Sequence, residues 1–219
     1  MSLNDFLHVL IFGLSFLGLF GLTELLFLLG LKVEITRKIA HFGTGFITLT
    51  FPFVIESQFT VLLLAVLFIL LLIISSKFNF LHSINGVSRK TICSCLFPIA
   101  IYLVFLLCWL KGDYKYYYLP ILILAIADPI AALSGKKWPI GKFKVANETK
   151  TVLGSLAFFI SCLIVIVVFF IVQKEYSNQD IIAYLVIAIL VTLTEAVSVK
   201  GWDNLFIPLS VILSMFLFF

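Results

Sequence analysis

Hydrophobic residues in this chain fall into long uninterrupted runs joined by short polar stretches. Runs stand out at roughly 4–29, 38–55, 58–75, 91–110, 117–134, 152–172, 181–198 and 204–219. Each approaches the ~20 apolar residues an α-helix needs to cross a bilayer. The second and last are short, so seven spans with one re-entrant segment is the alternative to eight. A membrane barrel would alternate apolar and polar positions over segments of about ten residues instead. The pattern predicts an all-α, polytopic integral membrane protein of about seven to eight transmembrane helices, with residues 1–219 forming a single transmembrane domain.

Composition agrees: 63% of residues are hydrophobic and 12% charged, and the mean hydropathy is +1.22. A chain of 219 residues so constituted leaves no room for a separate soluble domain, and nucleic acid is not expected among its partners. The first run is read as a span and not a cleavable signal: Met1 to Ile11 holds Asp5 but no Lys or Arg, and no small-residue cleavage site follows. Cys93, Cys95, Cys108 and Cys162 all fall in apolar segments and read as small buried hydrophobes.

Charge orients the runs. Lys32, Arg37, Lys38, Lys77, Arg89, Lys90, Lys136, Lys137, Lys142, Lys144, Lys150 and Lys200 fall on one side of the layout. Only Lys111, Lys115 and Lys174 fall on the other. The positive-inside rule makes the richer side cytosolic, placing both termini outside and the segments 30–41, 76–91, 128–155 and 195–208 toward the cytosol.

Those segments carry the candidate chemistry. Asp128 lies within the fifth run and is followed by Pro129, and the chain then enters its densest cationic stretch, Gly135 to Lys150. An ionisable residue inside a span is costly and marks a functional candidate. The stretch is not a Walker A loop, because Gly135 to Gly141 is one residue too long and Phe143 follows Lys142. Glu148-Thr149-Lys150-Thr151 leading to Gly154-Ser155 reads as a helix start with Thr149 or Thr151 as cap, where a phosphate would also meet Lys150. The alternative is a basic loop drawn to anionic lipid.

Thr36 is the expected N-cap of the second helix, which would put Arg37 and Lys38 in its first turn, facing a bound anion or snorkelling to head groups. His41, one turn beyond Arg37, is either a structural histidine or a base. Ser88-Arg89-Lys90-Thr91 repeats the theme as a second phosphate contact. Glu195 ends the seventh run, Asp203-Asn204 opens the eighth, and Glu24 is a further buried acid. Carboxylates gathered opposite Lys and Arg suit Mg²⁺ bridged by a nucleotide polyphosphate.

Four stretches, in this order, resemble the CTP-dependent lipid kinases (dolichol kinase, phytol kinase and CTP-dependent diacylglycerol kinase). They are Arg37-Lys38 with His41; Asp128-x-x-Ala131-Ala132-x-x-Gly135; Lys150-Thr151-x-x-Gly154-Ser155; and Glu195 with Gly201-x-Asp203-Asn204-x-x-x-Pro208. Two departures are visible, Ala127 where many relatives have Gly, and Val152-Leu153 before the Gly-Ser step. Neither removes a charged group. The large N-terminal membrane extension of many dolichol kinases has no counterpart, so the short phytol-kinase-like form fits better.

The resemblance implies transfer of the γ-phosphoryl group of CTP to the hydroxyl of a polyprenol, dolichol, phytol or diacylglycerol drawn from the bilayer, with Mg²⁺. It implies Asp128, Asp203 and Glu195 as metal ligands, Glu195 being alternatively the base, and Lys150 in the catalytic set. Arg37, Lys38, Gly135, Lys136, Lys137, Thr151 and Asn204 would hold the nucleotide. Glu24, His41, Arg89, Lys90, Gly154 and Ser155 are secondary candidates. A phosphatidate cytidylyltransferase is the nearest alternative, and a small ion-coupled transporter the next.

Overall fold

The computed structural model describes residues 3–78, 80–85 and 92–219. It resolves into two compact units, Met1–Gly112 and Asp113–Phe219. Helices dominate both, and five are long and apolar enough to cross a membrane: Leu3–Leu28, Gln58–Lys77, Lys115–Lys137, Val152–Val172 and Asn178–Val197. Cys95–Lys111 and Asp203–Phe218 are apolar but shorter. Arg89 and Lys90 lie outside the described residues.

The first unit contains α1 (Leu3–Leu28), α2 (Val33–Thr48), the single turn α3 (Phe51–Val54), α4 (Gln58–Lys77), the single turn α5 (His82–Asn85) and α6 (Ile92–Lys111). α1 packs on α2 and α4, and α4 on α6. Rings of Phe12, Phe16, Phe20, Phe51 and Phe68 meet edge-on or tilted between α1, α3 and α4, a geometry that adds to simple burial.

Glu24 has a definite employment in this unit. Its Oε1 accepts the His82 backbone N–H at 3.1 Å, and its Oε2 accepts that of Ser83 at 2.9 Å. His82 Nδ1 stands 3.3 Å from the same carboxylate. Thr36 completes the junction, donating its hydroxyl to the Ser83 carbonyl at 2.9 Å. The acid expected near the central site therefore ties α1 to α5, which satisfies its charge and two backbone donors at once.

The second helix corrects one expectation. Thr36 is not its N-cap. α2 starts at Val33, preceded by Lys32, and Thr36 sits buried inside it, also donating to the Val33 carbonyl at 3.0 Å. The chain leaves α1 through Gly30 at φ +97, early enough for Glu34 to occupy the first turn, where an acid suits the helix dipole. Arg37 and Lys38 consequently lie in the second turn, where their backbone N–H groups belong to the helix ladder.

The second unit contains α7 (Lys115–Lys137), a hairpin of β1 (Lys142–Val145) and β2 (Glu148–Thr151), then α8 (Val152–Val172), α9 (Ile181–Val197) and α10 (Asp203–Phe218). α7 packs on α8, α8 on α9, α9 on α10, and α10 back on α7. The hairpin qualifies the all-α expectation. Its register pairs Lys142 with Thr151, Phe143 with Lys150, Lys144 with Thr149 and Val145 with Glu148. The turn passes through Ala146 at φ +49.

Candidate functional site

The site is built at the end of the second unit where α7 stops, α8 starts, α9 stops and α10 starts. α7 runs through Gly135 to Lys137, so the basic loop begins at Trp138 and not at Gly135. Asp128, Ala131, Ala132 and Gly135 follow the i, i+3, i+4, i+7 spacing of one helix face. Small residues on that face let α8 approach closely. A Cβ on Gly135 would come within 2.6 Å of Thr151 Oγ1 and 3.3 Å of Gly154 Cα. One on Gly154 would meet Thr151 Oγ1 at 2.9 Å and the Ala131 carbonyl at 3.2 Å. Gly135 and Gly154 thus make the helix crossing, a role their sequence context alone did not separate from phosphate contact.

Of the two cap candidates, Thr149 and Thr151, it is Thr151 that caps α8: its Oγ1 accepts the Gly154 N–H at 3.0 Å. The residue before it, Lys150, points the other way across the strand. Its Nζ donates to Glu195 Oε1 at 2.7 Å and also to the Glu195 backbone carbonyl. One ammonium therefore neutralises a buried carboxylate and caps a terminal carbonyl of α9. The pair is well shielded, with side chains 15% and 10% exposed. Ser155 adds a hydroxyl 3.5 Å from Glu195 Oε2.

Hairpin alternation explains why Lys150 reaches inward. Phe143, Val145, Glu148 and Lys150 form the half-buried face, while Lys142, Lys144 and Thr149 are exposed. Glu148, on the inner face, accepts the Lys200 backbone N–H at 3.1 Å. The hairpin is thus fastened to the end of α9 by Lys150 and to the following turn by Glu148. That turn uses left-handed backbone at Lys200 (φ +54) and Gly201 (φ +82), which glycine takes without strain. Glu148 was not singled out in the sequence; its period-two spacing with Lys150 was the available signal.

Asp128 is 6% exposed on α7. The following Pro129 removes the donor that would satisfy the Ala125 carbonyl. Pro208 does the same for the carbonyl of Asn204 in α10, where Asn204 is buried and Asp203 half-buried. Asp203 Oδ1 accepts the Asn204 N–H at 3.0 Å. Lys136 and Lys137 are exposed in the last turn of α7, a favourable end for cations, and Lys137 Nζ lies 4.4 Å from the Trp138 ring centroid.

Among the described residues no three His, Cys, Asp or Glu side chains converge on a metal position. Glu195 is held by Lys150 instead. Mg²⁺ carried on a polyphosphate needs only one or two carboxylates from the protein. Arg37, Lys38 and His41 belong to the first unit. There the His41 ring packs edge-on against Phe97, with centroids 5.0 Å apart.

Apolar helices of spanning length, closed at one end by buried ionic pairing, are those of an integral membrane protein with charged chemistry at its surface. The chain is similar to the phytol kinase of Synechocystis sp., with 28% identity over 203 residues, covering 89% of this chain and 84% of that relative. That similarity supports the resemblance to phytol-kinase-like lipid kinases drawn from the motif order. No family model matches the chain, and no solved structure does.

Proposed function

We propose that this protein is a membrane lipid kinase that transfers the γ-phosphoryl group of CTP to a lipid alcohol. The observation that carries the reading is the assembled end of the second unit. The Gly135–Gly154 crossing, Lys150–Glu195 and Asp203-Asn204 stand at helix ends of the second unit, with Asp128 buried farther back on α7, in a chain similar to a phytol kinase along nearly its whole length. An isoprenoid alcohol is the preferred acceptor and diacylglycerol the alternative.

In the reaction, the alcohol oxygen bonds to the γ-phosphorus and the bond to the β–γ bridging oxygen breaks. Lipid phosphate and CDP result, and the hydroxyl proton departs. A protein performing such chemistry chiefly positions reactants and stabilises charge. Lys136 and Lys137 meet the polyphosphate, and Lys150, oriented by Glu195, supplies a fixed cation beside the α8 N-terminus. Asp128 and Asp203 would hold a nucleotide-borne Mg²⁺, which would supply charge neutralisation for the transferring phosphates. Asn204 orients Asp203. The basic end faces the cytosol, where CTP is found, and the N-terminus lies outside.

The test is a substrate panel. Purified protein in nanodiscs is given each of CTP, ATP, GTP and UTP with phytol, a longer polyprenol or diacylglycerol. Lipid phosphate should form fastest with CTP and an isoprenoid alcohol. Equal rates with ATP would remove the nucleotide assignment, and no product in any combination would remove the kinase reading.

A further inference from the structure

α9 ends at Val197 and α10 begins at Asp203, so Asp203 and Asn204 are delivered by the short link from Ser198 to Trp202. The centre of that link is a turn. The Trp202 N–H donates to the Val199 carbonyl at 3.1 Å. The two residues between them, Lys200 and Gly201, both have positive φ, +54 and +82. That is the pattern of a type I′ turn, for which Asn-Gly is the favoured pair. Glycine suits the second position. Lysine at the first is held in a left-handed conformation that its Cβ resists, and such strain persists only where surrounding contacts enforce it.

The turn is coupled directly to the residues that follow. The Gly201 carbonyl accepts the Asn204 N–H at 3.2 Å, the same N–H that Asp203 Oδ1 accepts at 3.0 Å. A shift at Gly201 therefore moves the first turn of α10. The enforcing contact comes from β2. The Lys200 N–H takes no part in closing the turn, and Glu148 Oε1 accepts it at 3.1 Å. Two residues along the same strand face, Lys150 donates to the Glu195 carbonyl at the end of α9. One strand thus grips the end of α9 and the strained position of the link that follows it.

We infer that Glu148 is a positioning residue: through the Lys200 N–H it keeps this turn in the conformation that presents Asp203 and Asn204 to the nucleotide. The inference rests on the proposed function for what Asp203 and Asn204 meet, while the grip on the turn is independent of it. A role of this kind sets the fraction of molecules ready to bind and leaves the chemical step alone. Saturating nucleotide should therefore restore the rate when Glu148 is changed, which it would not do for a group that stabilises the transition state.

The test uses the full-length protein in nanodiscs with Glu148→Ala, Glu148→Gln and Glu148→Asp, each first checked for a single folded peak by size exclusion. Hydrogen exchange without nucleotide, read by mass spectrometry on peptides spanning 198–205, should be faster in Glu148→Ala. KM for CTP should rise about tenfold, as when loss of one hydrogen bond to a charged acceptor leaves roughly a tenth of the molecules competent. The kcat at saturating CTP and the KM for phytol should stay unchanged. Glu148→Gln keeps an acceptor oxygen at the same reach and should match the wild type in both readouts. Glu148→Asp keeps the charge but is one methylene shorter, and should resemble Glu148→Ala. Adding Lys200→Asn to Glu148→Ala supplies the favoured Asn-Gly pair and should restore slow exchange and the wild-type KM together.

Faster exchange in Glu148→Ala with an unchanged KM for CTP would make Glu148 structural only and overturn the inference. Glu148→Gln as impaired as Glu148→Ala would overturn it too, because charge and not the hydrogen bond would then matter. No recovery in the double variant would show that the turn is not the route. Wild-type turnover beside an unaffected Glu148→Ala removes this inference alone. No lipid phosphate from the wild type with any nucleotide removes the kinase reading, and this inference with it.

Discussion

Asp128→Asn is expected to leave the protein folded and to lower phosphoryl transfer at least about a hundredfold, on the order of 3 kcal/mol of transition-state stabilisation. Asp128 is almost completely buried on the face of α7 that meets α8. Asparagine keeps its size and its capacity for hydrogen bonds, so a structural aspartic acid would tolerate the exchange. A carboxylate that faces a nucleotide-borne cation would not, because the amide carries no charge. Rates measured across Mg²⁺ concentrations separate affinity from turnover, and partial recovery at high Mg²⁺ is expected. Near-normal turnover of Asp128→Asn at limiting Mg²⁺ would take Asp128 out of the site.

Removing Lys150 should have the second large effect, and on two properties at once. Lys150→Ala leaves the Glu195 carboxylate buried without its counter-ion, a loss on the order of 3 kcal/mol, and removes one of the donors to the Glu195 carbonyl at the end of α9. The thermal midpoint in detergent should fall clearly. Glu195→Gln alone should cost less, since a neutral amide can stay buried with Ser155 nearby. The double variant should be more stable than the sum of the single losses predicts, because the stranded charge is gone. Its phosphoryl transfer should remain low, as the fixed cation is missing. Strictly additive stabilities would show that the ion pair is not coupled, and recovered activity in the double variant would reduce Lys150 to a structural role.

The helices were legible because a bilayer imposes a length on every apolar run. The runs at 58–75, 117–134 and 152–172 fall within α4, α7 and α8, with helix ends shifted by up to a few residues. Caps were less so. Thr151 and Thr36 have the same side chain and both stand just ahead of an apolar run in the sequence. Thr151 closes a strand and caps α8, whereas Thr36 was absorbed by a helix that begins one turn earlier because Gly30 ends α1. Local sequence does not hold that information; the exit of the preceding helix does.

Carboxylates followed the same division. A buried Glu195 requires a partner, and Lys150 was already among the candidates, but their pairing depends on a hairpin whose alternation is only four residues per strand. Glu24 looked like a fourth member of the acidic group because depth in a span is all that sequence gives. Its partners, the backbone donors of His82 and Ser83, have no sequence signature. Gly135 was implied as a nucleotide contact and Gly154 as a secondary candidate, and the structure adds that both lie where α7 and α8 approach closely.

The central claim is γ-phosphoryl transfer to a lipid hydroxyl, and the most direct measurement follows the label. Purified protein in nanodiscs with phytol is given CTP labelled at the γ-phosphate or, in parallel, at the α-phosphate, with Asp128→Asn beside it. The γ-label should enter the lipid phase, the α-label should remain in water-soluble CDP, and Asp128→Asn should show neither transfer. An α-label recovered in lipid would instead mark a cytidylyl transfer, and no lipid label from either position, with the protein folded, would contradict the kinase.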